Sequence, residues 1–196
     1  MISVIIPMHF EDRKYLNRCL DSIDEAKKHC CEDIEVLVIP NDDGIGKARN
    51  SGAKIAKGET LVFMDVDCTM SDTFLYEVNK ISKNDYFVGG GTKWVKGNRY
   101  SLGLLFFYIV LGIYLIVKQI TVGAFWIKKD IFDIIGGFRE DCDTTEQIDF
   151  AIRLKQYAKK HSKKFESIKR SYIIWNTRNF SIHGDWHWLR GYKTAT

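Results

Sequence analysis

The chain has 196 residues, 45% of them hydrophobic and 28% charged, with a formal net charge of +4. Those values belong to a folded chain with a core, and the mild positive balance lacks the concentrated basic stripe that would point to nucleic acid. The five cysteines, Cys19, Cys30, Cys31, Cys68 and Cys142, are odd in number and form no C-x-x-C pair, which argues against a disulfide framework or a zinc site and predicts reduced thiols in a cytoplasmic protein.

Residues 2–7 are a β-branched run ending at Pro7 and predict a buried strand. They carry neither the basic start nor the small-residue cleavage site of a signal peptide. Asp12 is placed to cap a helix in which Leu16, Leu20 and Ile23 recur at helical spacing. Residues 34–39 predict a second strand, stopped by Pro40. Gly44 and Gly46 open a second helix, ended by Gly58, where Ala48, Gly52, Ile55 and Ala56 form a narrow face suited to close packing on a sheet. Residues 60–66 predict a third strand, apolar until Asp65. Beyond it, a helix is predicted over 74–81, a strand over 86–92, an apolar segment over 102–117 and a strand over 121–127. Residues 145–160 predict an amphipathic helix, with Phe150, Leu154 and Ala158 on one face and Glu146, Asp149 and Arg153 on another. No repeat, low-complexity stretch or linker interrupts the chain, which predicts one domain over 1–196.

Strands and helices alternating at these intervals predict an α/β fold, a mainly parallel central sheet flanked by helices. Ligands of such sheets sit beyond the carboxyl ends of the strands. Here those ends carry Glu11, Asn41-Asp42-Asp43, and Asp65 and Asp67, so one edge of the sheet is rich in carboxylates. Asp65-Val66-Asp67 continues an apolar strand, and residues two apart on an extended chain point the same way. Two carboxylates so placed repel, and a hard divalent cation, Mn2+ or Mg2+, relieves the conflict with only one or two protein ligands. A D-x-D read alone also fits a solvated acidic turn; its position at this edge favours the cation.

In order along the chain, five segments are similar to the family 2 glycosyltransferases, inverting enzymes of the GT-A fold. They are Val4-Ile5-Ile6-Pro7 with Glu11; Gly46-Lys47-Ala48-Arg49-Asn50-Ser51-Gly52 with Ala56-Lys57-Gly58-Glu59; and Phe63-Met64-Asp65-Val66-Asp67. The last two are Gly123-Ala124-Phe125 with Phe132 and Gly136-Gly137-Phe138, and the stretch from Glu146 to Leu154. The resemblance implies a single GT-A domain that uses a nucleoside-diphosphate sugar. Pro7, Glu11 and Asp42 would hold base and ribose, with Arg49 also on the donor side. Asp65 would lie near the ribose and the metal's waters, and Asp67 would bind the metal. An acceptor hydroxyl would attack the anomeric carbon, with Glu146 or Asp149 as the base.

Two departures from that pattern stand out. The family's second acid at the catalytic helix is replaced by Gln147, which cannot take up a proton, so Glu146 is favoured as base and Asp149 is the alternative unless it pairs with Arg153. The turn before Gly46 is short, which leaves the donor base unassigned. The charge-free run 102–117, flanked by Arg99 and Lys118, falls short of a spanning helix and predicts membrane or lipid contact, a core helix, or a homodimer interface. Membrane contact implies a peripheral place on the inner face and a lipid-linked or other glycan acceptor. In the tail, Arg178 is suited to clamp a phosphate, and His187 either completes a metal shell or, the favoured reading, is a surface residue beside tryptophans that close the core. The competing classes are a nucleotidyltransferase, a sugar-nucleotide-binding module without turnover, and a membrane scaffold.

Overall fold

The computed structural model describes residues 1–141 and 146–186. The elements run β1 (Ile2–Met8), α1 (Arg13–Lys27), β2 (Ile34–Pro40), α2 (Ile45–Ile55), β3 (Thr60–Phe63), β4 (Thr69–Met70), α3 (Phe74–Ser82) and β5 (Phe87–Gly90). They continue with β6 (Thr92–Gly97), α4 (Leu102–Lys118), β7 (Phe125–Lys128), α5 (Lys129–Ile134), α6 (Glu146–Lys160), β8 (Lys164–Phe165), β9 (Ile168–Trp175) and α7 (Arg178–His183). A six-stranded sheet has the order β2-β1-β3-β7-β5-β8, and a three-stranded one the order β4-β9-β6. β1 pairs in parallel with β2 and β3, β7 runs antiparallel between β3 and β5, and β5 and β8 are parallel. The fold is therefore α/β with a mixed, mainly parallel central sheet.

Strand alternation sorts the core into two layers. Val4, Ile6, Val62 and Trp126 pack on one face of the sheet with Cys19 and Ile23 of α1 and Phe74 and Val78 of α3. Their neighbours Ile5, Leu61, Phe63, Phe125 and Ile127 point to the other face, against Ala53 of α2 and Phe150 and Leu154 of α6. There the rings of Phe138 and Phe150 stack with centroids 4.1 Å apart, and Phe63 meets Phe138 edge-on at 5.0 Å. Gly52 lets α2 lie directly on β1, since a Cβ there would sit 2.5 Å from Cγ2 of Ile5. The close face of α2 is Ala48, Arg49, Gly52 and Ala53; Ile55, expected on it, is 58% exposed.

Four elements differ from the sequence expectation. The strand expected over 86–92 divides into β5 and β6, which join different sheets. The third strand ends at Phe63, not at residue 66, because the Cys68 N–H donates to the Asp65 carbonyl and closes a turn. The strand expected from 121 begins at Phe125, because Gly123 takes a left-handed φ of 92° and the Ala124 carbonyl accepts from the Thr92 hydroxyl. Asp12 stands at the start of α1 but its side chain makes no cap; it is turned toward Arg178.

Candidate functional site

Because β1, β2 and β3 are parallel, the segments that follow them meet at one edge. The Asn41 N–H donates to the Met8 carbonyl (3.0 Å) and the Met64 N–H to the Ile5 carbonyl (3.1 Å), which ties the three exits together. β7 is antiparallel to β3 with Phe125 opposite Phe63, so Gly123 and Ala124 enter at the same edge. α2 rises from it, and α6 begins beside it through two side-chain bonds. Gln147 accepts from the Gly123 N–H (3.2 Å), and its amide nitrogen stands 3.5 Å from Oδ2 of Asp65.

At the centre lies Arg49, 2% exposed. Its NH2 donates to Oδ1 of Asp65 (2.7 Å) and its NH1 to Oε1 of Glu146 (2.9 Å), and the guanidinium lies 4.9 Å over the Phe138 ring. Burial works against the arginine's charge, but the two carboxylates outweigh it and raise its pKa above the ordinary value. Glu146 is 6% exposed and falls on the same buried stripe of α6 as Phe150, Leu154 and Ala158, not on the polar face expected for it. The reason is positional: 146, 150, 154 and 158 are each four residues apart, one helical row.

A second charge cluster adjoins the first. Asp67 comes within 3.6 Å of Nε of Arg178, which also pairs with Asp12 and lies 5.1 Å over the Tyr15 ring. Burial, reinforced by the charge of Asp65, pushes the Asp67 carboxyl up to about 6, with Arg178 opposing. The hydrogen bond to Asp12 raises the pKa of Arg178 further above its already high value. Burial and the same two aspartates lift the Cys19 thiol to about 12 and hold that of Cys68 well above its usual range. Asp65 and Asp67 thus share an environment through a turn, not through strand alternation.

The remaining sequence-predicted residues lie around these clusters. Pro7 is buried within β1, and Glu11 is exposed on the short 3-10 turn Phe10–Asp12. Asp42 is exposed beside a cleft of about 140 Å³ that Asp43, Gly44, Lys47 and Ser51 also line. Asp149 accepts from Nε of Arg153 (2.7 Å), which also donates to the Ile135 carbonyl, a network separate from Asp65 and Glu146. His187 and Cys142 lie outside the described residues. Sequence reasoning missed Asp12, treated only as a helix cap, and the bridging role of Gln147. Asp12 sits one residue past Glu11 at the same strand exit, and that position was the available signal. A groove of about 690 Å³ lies away from this edge, by Met1, Lys57, Thr60 and Lys128 at the opposite ends of β1 and β3.

Among the described residues no group of three or more His, Cys, Asp or Glu side chains converges as a metal site. Asp67 with Asp65 fits a cation that takes one or two carboxylates and completes its shell with diphosphate oxygens and water. Burial first and the charge of Asp65 second disfavour the ionised Asp67 carboxyl, and Arg178 offsets them only in part.

Three solved structures share this architecture. The mannosyltransferase PcManGT from Pyrobaculum calidifontis, in complex with GDP-Man and Mn2+, is 14% identical with a TM-score of 0.61, over 88% of this chain and 56% of that one. Drosophila β1,4-galactosyltransferase 7, as a mutant complexed with manganese, UDP-Gal and xylobiose, is 14% identical with a TM-score of 0.59, over 86% and 63%. S. aureus TarS is 15% identical with a TM-score of 0.63, over 94% and 38%. The chain thus spans from about two fifths to just under two thirds of the length of these structures, and at such identities the likeness is one of fold. No curated protein matches the sequence. The model of glycosyl transferase family 2 matches residues 24–195, nearly the whole chain, and on that match the chain belongs to this family.

Proposed function

We propose that the chain is a single-domain, metal-dependent inverting glycosyltransferase that moves a sugar from a nucleoside-diphosphate sugar to a hydroxyl on a glycan or lipid-borne acceptor. The observation that carries this reading is the meeting of Asp12, Asp65, Asp67 and Glu146 with Arg49 and Arg178 at the carboxyl edge of a parallel sheet, where α/β folds bind their ligands. The nucleotide complexes of the mannosyltransferase and the galactosyltransferase support it by fold.

In this reading Asp67, helped by Asp65, holds Mn2+ or Mg2+, which when bound neutralises charge on the departing diphosphate. Arg178 turns from Asp12 and Asp67 toward a phosphate. Pro7, Glu11 and Asp42 border the nucleoside. Arg49 fixes the Asp65 carboxylate and orients Glu146, which takes the proton of the acceptor hydroxyl as it attacks from the side opposite the leaving group. Asp149, already paired with Arg153, is the second candidate for that role.

One observation favours a second reading, a nucleotide-sugar-binding domain with slow or no turnover: each carboxylate offered as base already holds an arginine. Incubation with UDP-, GDP-, dTDP- and CDP-sugars, Mn2+ and, to receive the sugar, glycan and lipid-borne hydroxyl acceptors, following release of nucleoside diphosphate, separates the two. Release that falls at least about a hundredfold in Glu146→Gln supports transfer with Glu146 as base. Nucleotide binding without release from any donor supports the binding module.

A further inference from the structure

α4 is apolar on every side, and only one side is covered. Leu104, Phe107, Tyr108 and Leu115 recur at helical spacing and face the body: Leu104 is buried, Phe107 and Tyr108 meet the Trp175 ring, and Leu115 packs on the core layer that holds Phe150. On the opposite side Leu105, Ile109, Val110, Ile113, Ile116 and Val117 also recur at three- and four-residue spacing, and all are exposed, Ile116 by 75% and Val117 by 74%. A soluble surface helix carries polar residues there. The 17 residues of α4 extend roughly 25 Å at 1.5 Å each. Among the described residues no helix is long and apolar enough to cross a membrane.

The charges around the helix select its partner. Residues 86–129 contain no Asp or Glu and include Lys93, Lys96 and Lys118, while Arg99 is paired with Asp185, which lies against Gly103 of α4. Lys93 and Lys96 are exposed on β6, the edge strand that feeds α4, and Lys118 closes the helix. Exposed Trp94 stands between Lys93 and Lys96, exposed Tyr100 precedes the helix, and Tyr114 lies under Lys118. An apolar stripe bordered by cations and amphipathic rings matches the boundary between acyl chains and anionic headgroups. A second copy of the same face would bring Lys93, Lys96 and Lys118 against their own kind, and the acid beside the helix, Asp185, is already taken by Arg99.

We infer that the outer face of α4 is a membrane-docking surface: the helix lies in the plane of an anionic bilayer, its exposed apolar side in the acyl boundary and its flanking lysines on the headgroups. On its covered side the same helix packs Phe107 on Phe180 of α7, the helix that begins with Arg178, so the docked helix is joined to an element of the site. Resting on the donor-site reading, this names the acceptor class as a hydroxyl on a lipid-borne molecule.

Flotation of the full chain with vesicles tests the surface without donor or turnover. Binding to phosphatidylcholine vesicles containing about a third phosphatidylglycerol is expected, weakened several-fold on pure phosphatidylcholine and in high salt. The triple variant Ile109→Gln, Ile113→Gln, Ile116→Gln is expected to lower the partition coefficient at least about tenfold with its far-ultraviolet spectrum unchanged. Should that variant not fold, Ile116→Glu alone at its exposed position gives the same direction. Absence of flotation, equal binding to both vesicles, or binding unchanged by the variants overturns the inference. So does a concentration-dependent dimer that the triple variant dissolves while vesicles bind neither protein. A chain that floats but binds no nucleotide refutes the donor site and leaves the docking surface standing.

Discussion

Replacing Arg49 tests whether the buried charge cluster organises the site. Arg49→Met keeps an unbranched stem over Phe138 and removes the guanidinium from between Asp65 and Glu146. Breaking a buried pair by removing one partner costs about 3–5 kcal/mol, since the other charge stays buried. The side chain of Glu146 is 8% exposed and carries most of that cost, whereas that of Asp65 is 35% exposed and is rescued by water. The expected loss is therefore about 3 kcal/mol, near the low end of that range. For a chain of this size it lowers the melting temperature by about 6–12 °C. The double variant Arg49→Met, Glu146→Leu removes the stranded charge as well and is expected to recover at least about 1 kcal/mol of the loss. Urea unfolding of wild type, both single variants and the double variant closes the cycle. A loss under about 1 kcal/mol for Arg49→Met, or additive losses in the double variant, would refute the coupling.

Two further expectations follow from the same edge. In chelator, Asp67→Asn should stabilise the chain by about 1–2 kcal/mol at pH 7, because the buried carboxylate is held charged against its environment. The carboxyl's folded pKa of about 6 lies above its ordinary 3.8, so it takes up a proton on folding. The stability it contributes is complete below about 4 and lost as pH rises through about 6. The gain from Asp67→Asn should therefore grow between pH 5 and 7, and a gain independent of pH contradicts the assignment. The exposed Cys31 should react with iodoacetamide in the native chain while the buried Cys19 and Cys68, with raised pKa values, react only after unfolding. Native labelling of Cys19 at the rate of Cys31, read by mass spectrometry, contradicts that.

The sheet was legible because β1 and β2 are short β-branched runs with Pro7 and Pro40 at or next to their ends, and because glycines mark the start of α2 before β3. The edge that carries the site followed from parallel pairing alone. What periodicity could not supply was the local geometry after Phe63. A single turn hydrogen bond from Cys68 to the Asp65 carbonyl decides where the two aspartates sit, and no pattern of apolar residues encodes it. Glu146 was assigned to the wrong face because a charge was read as exposed; its partner Arg49 lies 97 positions away in sequence, which no local pattern reveals. The pairing of Asp149 with Arg153 was legible, since it is local. The apolar character of α4 was equally plain, but the body-facing side could be separated from the outer side only once Trp175 and the core layer around Phe150 were placed against it.

The measurement that bears most directly on the donor site is calorimetric titration of the chain with UDP, GDP, dTDP and CDP, with and without Mn2+, alongside Asp67→Ala. The account predicts that one nucleoside diphosphate binds with Mn2+ present and that the affinity is lost with chelator and in Asp67→Ala. No binding of any of the four to the wild-type chain with Mn2+ present, or binding that neither chelator nor Asp67→Ala weakens, would contradict it.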